Sequence, residues 1–198
     1  MAGCWSCDAP IGAGEVFCGC GAIQPPQQGQ DAFAVLGVPR QFAQDLGELE
    51  KRYKEWTRKL HPDRFVKADA RARRWSLERA TQLNDAYKLL KNPARRAEYL
   101  LKLNGIDVAD EKKTISDPEF LMEMMEKREQ LAEAEAAERI VLGEEMRARR
   151  DAAMDAAASA FAEEDWETAA QKVIALRYYD RFLEELDAGS AVSDQRAG

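Results

Sequence analysis

A chain of 198 residues, 45% hydrophobic and 33% charged, has the composition of one large folded domain or two small ones. No run of eighteen apolar residues occurs, which excludes a membrane-spanning helix. The first basic residue is Arg40, so the amino terminus lacks the basic region of a secretory signal and the Arg-rich character of a mitochondrial transit peptide, and a cytoplasmic protein is expected. The formal charge of -7 conceals three regions: 1–30 holds two acids and no base, 31–104 holds 17 Lys and Arg against 10 acids, and 105–198 holds 12 against 24. The basic middle suits an oppositely charged partner. Nucleic acid is disfavoured, because the acidic half would repel the phosphates that the middle attracts.

All four cysteines lie in the first twenty residues, as Cys4-Trp-Ser-Cys7 and Cys18-Gly-Cys20, with Pro10, Gly12 and Gly14 in the loop between the pairs. Four thiolates gathered by two tight turns complete a tetrahedral shell, and a segment with so little apolar surface needs such a staple to fold. One structural zinc per chain, held by Cys4, Cys7, Cys18 and Cys20, is the expectation. The alternatives are two disulfides, disfavoured without a secretory signal, or four free thiols; an iron-sulfur site is disfavoured because the ferredoxin spacings are absent. The second pair is spaced by one residue instead of two, a tight turn that Gly19 and Gly21 would relax. Gln24-Pro-Pro-Gln-Gln-Gly-Gln30 then reads as a linker.

From Asp31 the pattern turns helical. Asp31 caps a short helix through Leu36, closed by Gly37 and Pro39. Leu46, Leu49, Tyr53, Trp56 and Leu60 recur at three- and four-residue steps, the mark of a helix with one apolar stripe, and Lys51, Arg52, Lys54, Arg58 and Lys59 occupy its other side. His61-Pro62-Asp63 stops it, since the residue before a proline is pushed out of the α region. A long helix follows from about 70 to 90, with Ala80, Leu83, Tyr87 and Leu90 expected on its inner side, so that two antiparallel helices are joined by the His-Pro-Asp loop. Asn92-Pro93 starts a further helix, which ends at Asn104-Gly105.

Residues 105–117 read as a hinge. Asp117-Pro118-Glu119 opens the carboxy-terminal half with a cap, a proline at the first helical position and an acid in the first turn. Helices at about 118–136, 139–163 and 166–187 are expected to form a three-helix bundle, followed by a disordered tail over 188–198. At about 100° per residue, Phe120, Met124 and Leu131 fall within about 40° of one another and form a core stripe, whereas Leu121, Met122 and Met125 lie about 100–200° away. That second apolar face, rimmed by Glu126 and Glu129, is either covered by a neighbouring helix or exposed to a partner.

His61 is the one histidine in the sequence, and neither a nucleophile elbow nor a phosphate-binding loop is present, so a conventional enzyme is not expected. Set between a basic helix and a long second one, His61-Pro-Asp-Arg-Phe65 resembles the signature of a J-domain, the module that engages Hsp70 chaperones. Asn92-Pro-Ala-Arg-Arg-Ala-Glu-Tyr-Leu-Leu101 and Asp117-Pro-Glu-Phe-Leu-Met-Glu-Met-Met-Glu-Lys-Arg-Glu129 are similar to motifs of one J-protein subfamily, the HscB or Hsc20 co-chaperones of iron-sulfur cluster biogenesis. The likeness spans about 31–187. The cysteine cluster resembles the metal-binding extension carried by some members, eukaryotic ones included.

The resemblance implies an all-α, L-shaped co-chaperone. Its parts are a zinc knob at 1–23, a linker at 24–30, a J-domain at 31–104, a hinge at 105–117 and a scaffold-binding bundle at 118–187. It implies that His61, Pro62 and Asp63 trigger ATP hydrolysis by an HscA-like Hsp70, which docks on the basic face of Lys51, Arg52, Lys54, Arg58 and Lys59. Leu121, Met122, Met125, Glu126 and Glu129, with Arg177 and Tyr178 on the last helix, match positions that hold an IscU-like scaffold protein. No organic cofactor, nucleic acid or membrane is implied. Two other functions are compatible with the sequence: a general J-protein for misfolded clients, and a redox or metal-handling protein centred on the cysteines.

Overall fold

The structure, a computed structural model, describes residues 2–12, 14–108 and 117–194. The chain divides into two compact units, Met1–Arg96 and Ala97–Gly198. The first opens with a small antiparallel pairing of β1 (Ala2–Gly3) and β2 (Pro10–Ile11), the one named sheet among the described residues. All remaining named elements are helical, as the composition and periodicity predict.

Local chemistry sets the helix ends. In α1 (Ala32–Leu36) the Asp31 carboxylate accepts from the Ala34 N–H, and Gly37, left-handed at φ 67°, turns the chain away while its own N–H closes on Ala34 and Phe33 carbonyls. Asp45 caps α2 (Leu46–Leu60) by accepting from the Gly47 and Glu48 N–H groups, and the chain leaves the helix at His61, ahead of Pro62. A 3-10 turn, Pro62–Phe65, leads to α3 (Ala70–Lys91), capped by Asp69. Asn92 Oδ1 accepts from the Arg95 N–H at the start of α4 (Pro93–Leu103), a helix that straddles the division between the units.

The inner faces differ from the sequence expectation at specific positions. On α2, Leu49 and Leu60 are buried, Tyr53 and Trp56 are half-buried, and Leu46, expected on the stripe, is 51% exposed. Leu46 is the first residue of the helix, directly after the Asp45 cap. Tyr53 stacks on Tyr87 with ring centroids 4.1 Å apart and donates its hydroxyl to Asn84 Oδ1 at 2.9 Å, so these half-buried rings seal the edge of the seam. The buried face of α3 runs through Ala72, Trp75, Ser76, Arg79, Leu83, Ala86 and Leu90. Ala80 and Tyr87, expected inside, are half-buried. Two of the buried positions are polar, which is why a purely apolar pattern rotates the face by one step.

The expected linker is also packed. Gln24 is buried, and the carbonyls of Gln24 and Pro25 accept from Arg79 Nε and Nη2 at 2.8 and 2.7 Å. Apolar poverty alone misreads this segment, because what fixes it is main-chain carbonyl bonding to an arginine some fifty positions on.

The second unit is built on α6 (Ala136–Ala162) and α7 (Trp166–Asp194), with α5 (Pro118–Glu133) beside them. Its core includes Leu142, Met146, Ala153, Ala157, Ala160 and Phe161 of α6, and Ala169, Val173, Ile174, Leu176, Phe182 and Leu186 of α7. A Cβ added at Gly143 would stand 3.2 Å from Leu186 Cδ2, so this glycine permits the close approach of the two helices. Arg139 donates to the Leu186 carbonyl and Arg150 Nε to Asp180 Oδ1 across the same seam. Met124 and Leu131 of α5 are buried, and Phe120 packs edge-on against Tyr178 and Tyr179. Charge fastens the outside of α5: Lys127 to Glu145 at 2.7 Å, Arg128 to Glu185 at 2.9 Å, and Glu123 to Arg149.

Two boundaries depart from expectation. The break expected between helices ending at about 136 and starting at about 139 falls instead at Ala134 and Glu135, both extended, because Glu135 and Glu138 form a reciprocal capping box that starts α6 there. Helix α7 continues to Asp194, past the expected end at 187. Most of the expected hinge, 109–116, and the last four residues of the expected tail lie outside the described residues.

Ser76 donates its hydroxyl to the Leu60 carbonyl at 2.8 Å, inside the α2–α3 seam. Ser76→Ala leaves that buried carbonyl without its donor and is expected to cost about 1–3 kcal/mol in urea unfolding. Thr81→Ala, whose exposed hydroxyl bonds only its own helix at Leu77, should stay within about 0.5 kcal/mol.

The Lys127 hydrogen bond to Glu145, with the charges of Lys127 and Arg149 and against the opposing effect of burial, holds that carboxyl below its ordinary 4.5. The unfolded chain therefore binds the proton first, so this tie contributes in full above about pH 4.5 and is lost as pH falls through the lower folded value. Urea midpoints of the natural chain and of Lys127→Met, measured from pH 7 to pH 3, should accordingly converge below pH 4.5.

Candidate functional site

The structure gathers the candidate residues into three places. In the first, the Sγ atoms of Cys4, Cys7, Cys18 and Cys20 all lie within 4.8 Å of one another. Cys4 and Cys20 are 3.8 Å apart and Cys7 and Cys18 3.6 Å apart. Sulfurs placed about 2.3 Å from a tetrahedral zinc stand about 3.8 Å from each other, so the donor set fits such an ion. A disulfide would hold its sulfurs at about 2.05 Å.

Two turns make this arrangement. After Cys4 the chain folds back through Asp8 N–H to Cys4 O, with Asp8 left-handed at φ 58°, and Cys4 N–H reaches Ala9 O. Around Cys18 the Gly21 N–H bonds Cys18 O and the Cys18 N–H bonds Ala22 O. Gly21, at φ 85°, supplies the positive φ that the one-residue spacing demands; Gly19 is not among the positive-φ glycines.

Cys4 is buried and receives the Ser6 N–H and Gln24 Nε2, each at 3.4 Å. Burial acts to raise its thiol, but the Ser6 and Cys7 backbone groups overcome it and bring the pKa to about 6. Cys7 goes the other way, to about 12: the Ala9 backbone opposes the rise, and the Cys20 and Cys18 thiols drive it. Cys18 is raised as well. Four thiols this close do not all ionise beside one another without a cation, and a divalent metal held by the four would supply that cation.

The second place is the end of α2. His61, Pro62, Asp63 and Arg64 are exposed. His61 Nδ1 accepts from the Asp63 N–H at 3.3 Å, which caps the 3-10 turn and sets Asp63 beside the ring. Ser76 fixes the carbonyl of Leu60, immediately before His61. Along α2, Lys51, Lys54, Arg58 and Lys59 are exposed. Lys51 pairs with Glu48 at 3.5 Å and Lys54 with Glu50 at 2.7 Å, and Lys59 lies over the Trp56 ring. Exposed pairs of this kind contribute little and leave the charges available. Arg52 is different: it is half-buried, donates to the Gly37 carbonyl at the end of α1, and pairs with Glu48 at 3.0 Å.

The third place is the outer face of α5. Met122 and Met125 are 59% and 64% exposed, and Glu126 and Glu129 are exposed beside them. Leu121 is half-buried, as are Arg177 and Tyr178. Tyr178 reaches α5 through its ring contact with Phe120, 5.5 Å between centroids. Methionines left exposed next to a satisfied core stripe form an adaptable apolar surface.

Sequence reasoning missed Gln24, Arg79 and Trp5, whose indole donates to the Ile23 carbonyl at 2.7 Å. The available signal was positional: Arg79 sits four residues after Trp75 and four before Leu83, in register with the buried face of α3.

Comparison with known proteins follows the same division. Residues 31–99 match the DnaJ domain, and residues 116–187 match the HSCB C-terminal oligomerisation domain. The iron-sulfur cluster co-chaperone protein HscB of Homo sapiens is 35% identical over 188 residues, which cover 92% of this chain and 80% of that protein. The co-chaperone protein HscB homolog of Photobacterium profundum is 37% identical over 160 residues, 78% of this chain and 94% of that one. The crystal structure of human co-chaperone protein HscB is similar with a TM-score of 0.83 at 34% identity, over 95% of this chain and 98% of that chain. No helix among the described residues is long and apolar enough to cross a membrane. With a DnaJ match followed by an HSCB C-terminal match, and a relative 35% identical across 92% of this chain, the chain belongs to the HscB family of iron-sulfur cluster co-chaperones.

Proposed function

We propose that the chain is an adaptor that brings an IscU-like scaffold protein to an HscA-like Hsp70 and stimulates the ATPase of that chaperone. The observation that carries the reading is the second apolar face of α5, Met122 and Met125, left exposed beside a core stripe already satisfied by Met124 and Leu131. That face is what a J-protein dedicated to one folded client needs, and Glu126, Glu129, Leu121, Arg177 and Tyr178 would extend it. Hydrolysis belongs to the partner. His61, Pro62 and Asp63 act as a contact surface beyond the ends of α2 and α3, and Lys51, Lys54, Arg58 and Lys59 steer the encounter, chiefly through the association rate.

In the same reading the four cysteines hold one structural zinc per chain, supported by sulfur separations of 3.6 and 3.8 Å. The metal closes the two turns into one unit. A reducing, cytoplasmic location is part of the proposal, since it keeps the four ligands as thiols.

Asp63→Asn is expected to return the Hsp70 ATPase to its unstimulated rate in a steady-state assay. Its exposed position should hold unfolding stability within about 0.5 kcal/mol of the natural chain. Full stimulation by the variant would remove the loop from the mechanism. For the scaffold face, Met122→Ala with Met125→Ala is the cleaner probe, because Leu121 is half-buried. Calorimetric titration with the scaffold protein should show a loss of about 2 kcal/mol or more if either side chain is an anchor. Unchanged scaffold affinity, with misfolded clients still bound, would favour a general J-protein.

A further inference from the structure

Metal binding alone does not require the cysteine cluster to be fastened to α3, yet it is. Gln24 Nε2 donates to Cys4 Sγ at 3.4 Å and to the Ala22 carbonyl at 2.8 Å. The carbonyls of Gln24 and Pro25 are in turn held by Arg79 Nε and Nη2. Arg79 is only 6% exposed, and it makes no ion pair with a carboxylate among the described residues. A buried guanidinium without a carboxylate partner must be satisfied by hydrogen bonds and by whatever negative charge lies nearby. Four thiolates around a divalent ion carry a net charge of about -2.

A second contact runs along the same stripe of α3. Trp5 meets Trp75 edge-on, 5.6 Å between centroids, and the Arg71 guanidinium lies 5.2 Å from the Trp5 ring and 5.9 Å from the Trp75 ring. Arg71, Trp75 and Arg79 follow one another at four-residue steps, so a single face of α3 receives the knob. Ser76, on the same turn of helix, holds the carbonyl of Leu60 just before the His61 loop.

We infer that Arg79 is a positioning residue that couples metal occupancy of the cysteine cluster to the ordering of α3, and through Ser76 to the anchor of the His61-Pro62-Asp63 loop. The inference rests on the metal reading given above. Metal fixes Cys4, Cys4 fixes Gln24, and the carbonyls of Gln24 and Pro25 are then presented to Arg79 in one geometry. Without the metal the knob loosens, and the buried guanidinium loses its acceptors. The coupling is reciprocal: if metal orders α3, the Arg79 bonds slow metal release by the same linkage.

The test uses the full chain, with zinc content from elemental analysis, amide hydrogen exchange, and the rate of zinc release to EDTA under reducing conditions. Stripping the metal from the natural chain should speed exchange across 72–83 of α3 about tenfold or more, and added zinc chloride should restore it. Arg79→Met should release zinc about tenfold faster with all four cysteines in place, and exchange in its α3 should no longer respond to metal. Arg79→Lys should recover only part of the effect, since one ammonium does not reproduce the two-pronged contact to both carbonyls. A purely structural Arg79 would destabilise α3 equally with and without metal, and that outcome overturns the coupling. If Arg79→Met does not fold, Gln24→Ala removes the donor to Cys4 while keeping both carbonyls, and it should also speed release; release at the natural rate counts against the proposal. Zinc bound but α3 exchange indifferent to it sinks the coupling alone. A chain that binds no zinc overturns the metal reading and the coupling with it.

Discussion

A chain built almost wholly of helices must find donors for the carbonyls that its helix ends and turns leave over, and here those donors are side chains from neighbouring helices. Arg52 reaches the Gly37 carbonyl at the end of α1, and Ser76 the Leu60 carbonyl at the end of α2. Arg96 bonds the Leu90 carbonyl at the end of α3, and Arg139 the Leu131 carbonyl near the end of α5. Arg79 does the same for the non-helical stretch at Gln24 and Pro25. A guanidinium suits this task because its planar fork offers several donors and stays charged when buried. Each such bond pins the point where one element stops to the flank of another. The helices are therefore fixed at their ends, one of which carries the His61 loop.

This arrangement separates what must be rigid from what must be reachable. The His61 loop projects beyond two helices and is exposed, yet the carbonyl preceding it is fastened by Ser76 and the turn after His61 by its own imidazole. The α5 surface follows the same logic. Met124 and Leu131 bury one stripe, ion pairs to Glu145, Arg149 and Glu185 flank it, and the methionines on the outer side stay exposed. In the knob the two tasks fall on one set of atoms: the cysteines close the fold, and the backbone they position is what Arg79 requires.

Arg52 shows how a residue changes meaning between sequence and structure. In the sequence it is one of five bases on the outer side of α2. In the fold its guanidinium is committed to Gly37 and Glu48, so reversing it would disturb α1 together with any docking surface. Lys51, Lys54, Arg58 and Lys59 are the members of the group whose exposure suits steering.

The sequence by itself determined the helices, the caps at Asp31 and Asp117 and the cysteine cluster, because these depend on contacts within a few positions: both aspartates accept from N–H groups two or three residues ahead, as Asp45 and Asp69 do in the structure. It also determined the family, through motifs that are contiguous. The paired faces of α5 were legible as well, since helical spacing alone separates Met124 from Met122 and Met125. Only the tertiary structure decided that Gln24 and Pro25 are not a linker, that Arg79 is inside, and that Leu46 is outside. Each of those depends on how segments remote in sequence pack, and the hydrogen-bond geometry that makes a buried arginine tolerable exists only once the chain has folded.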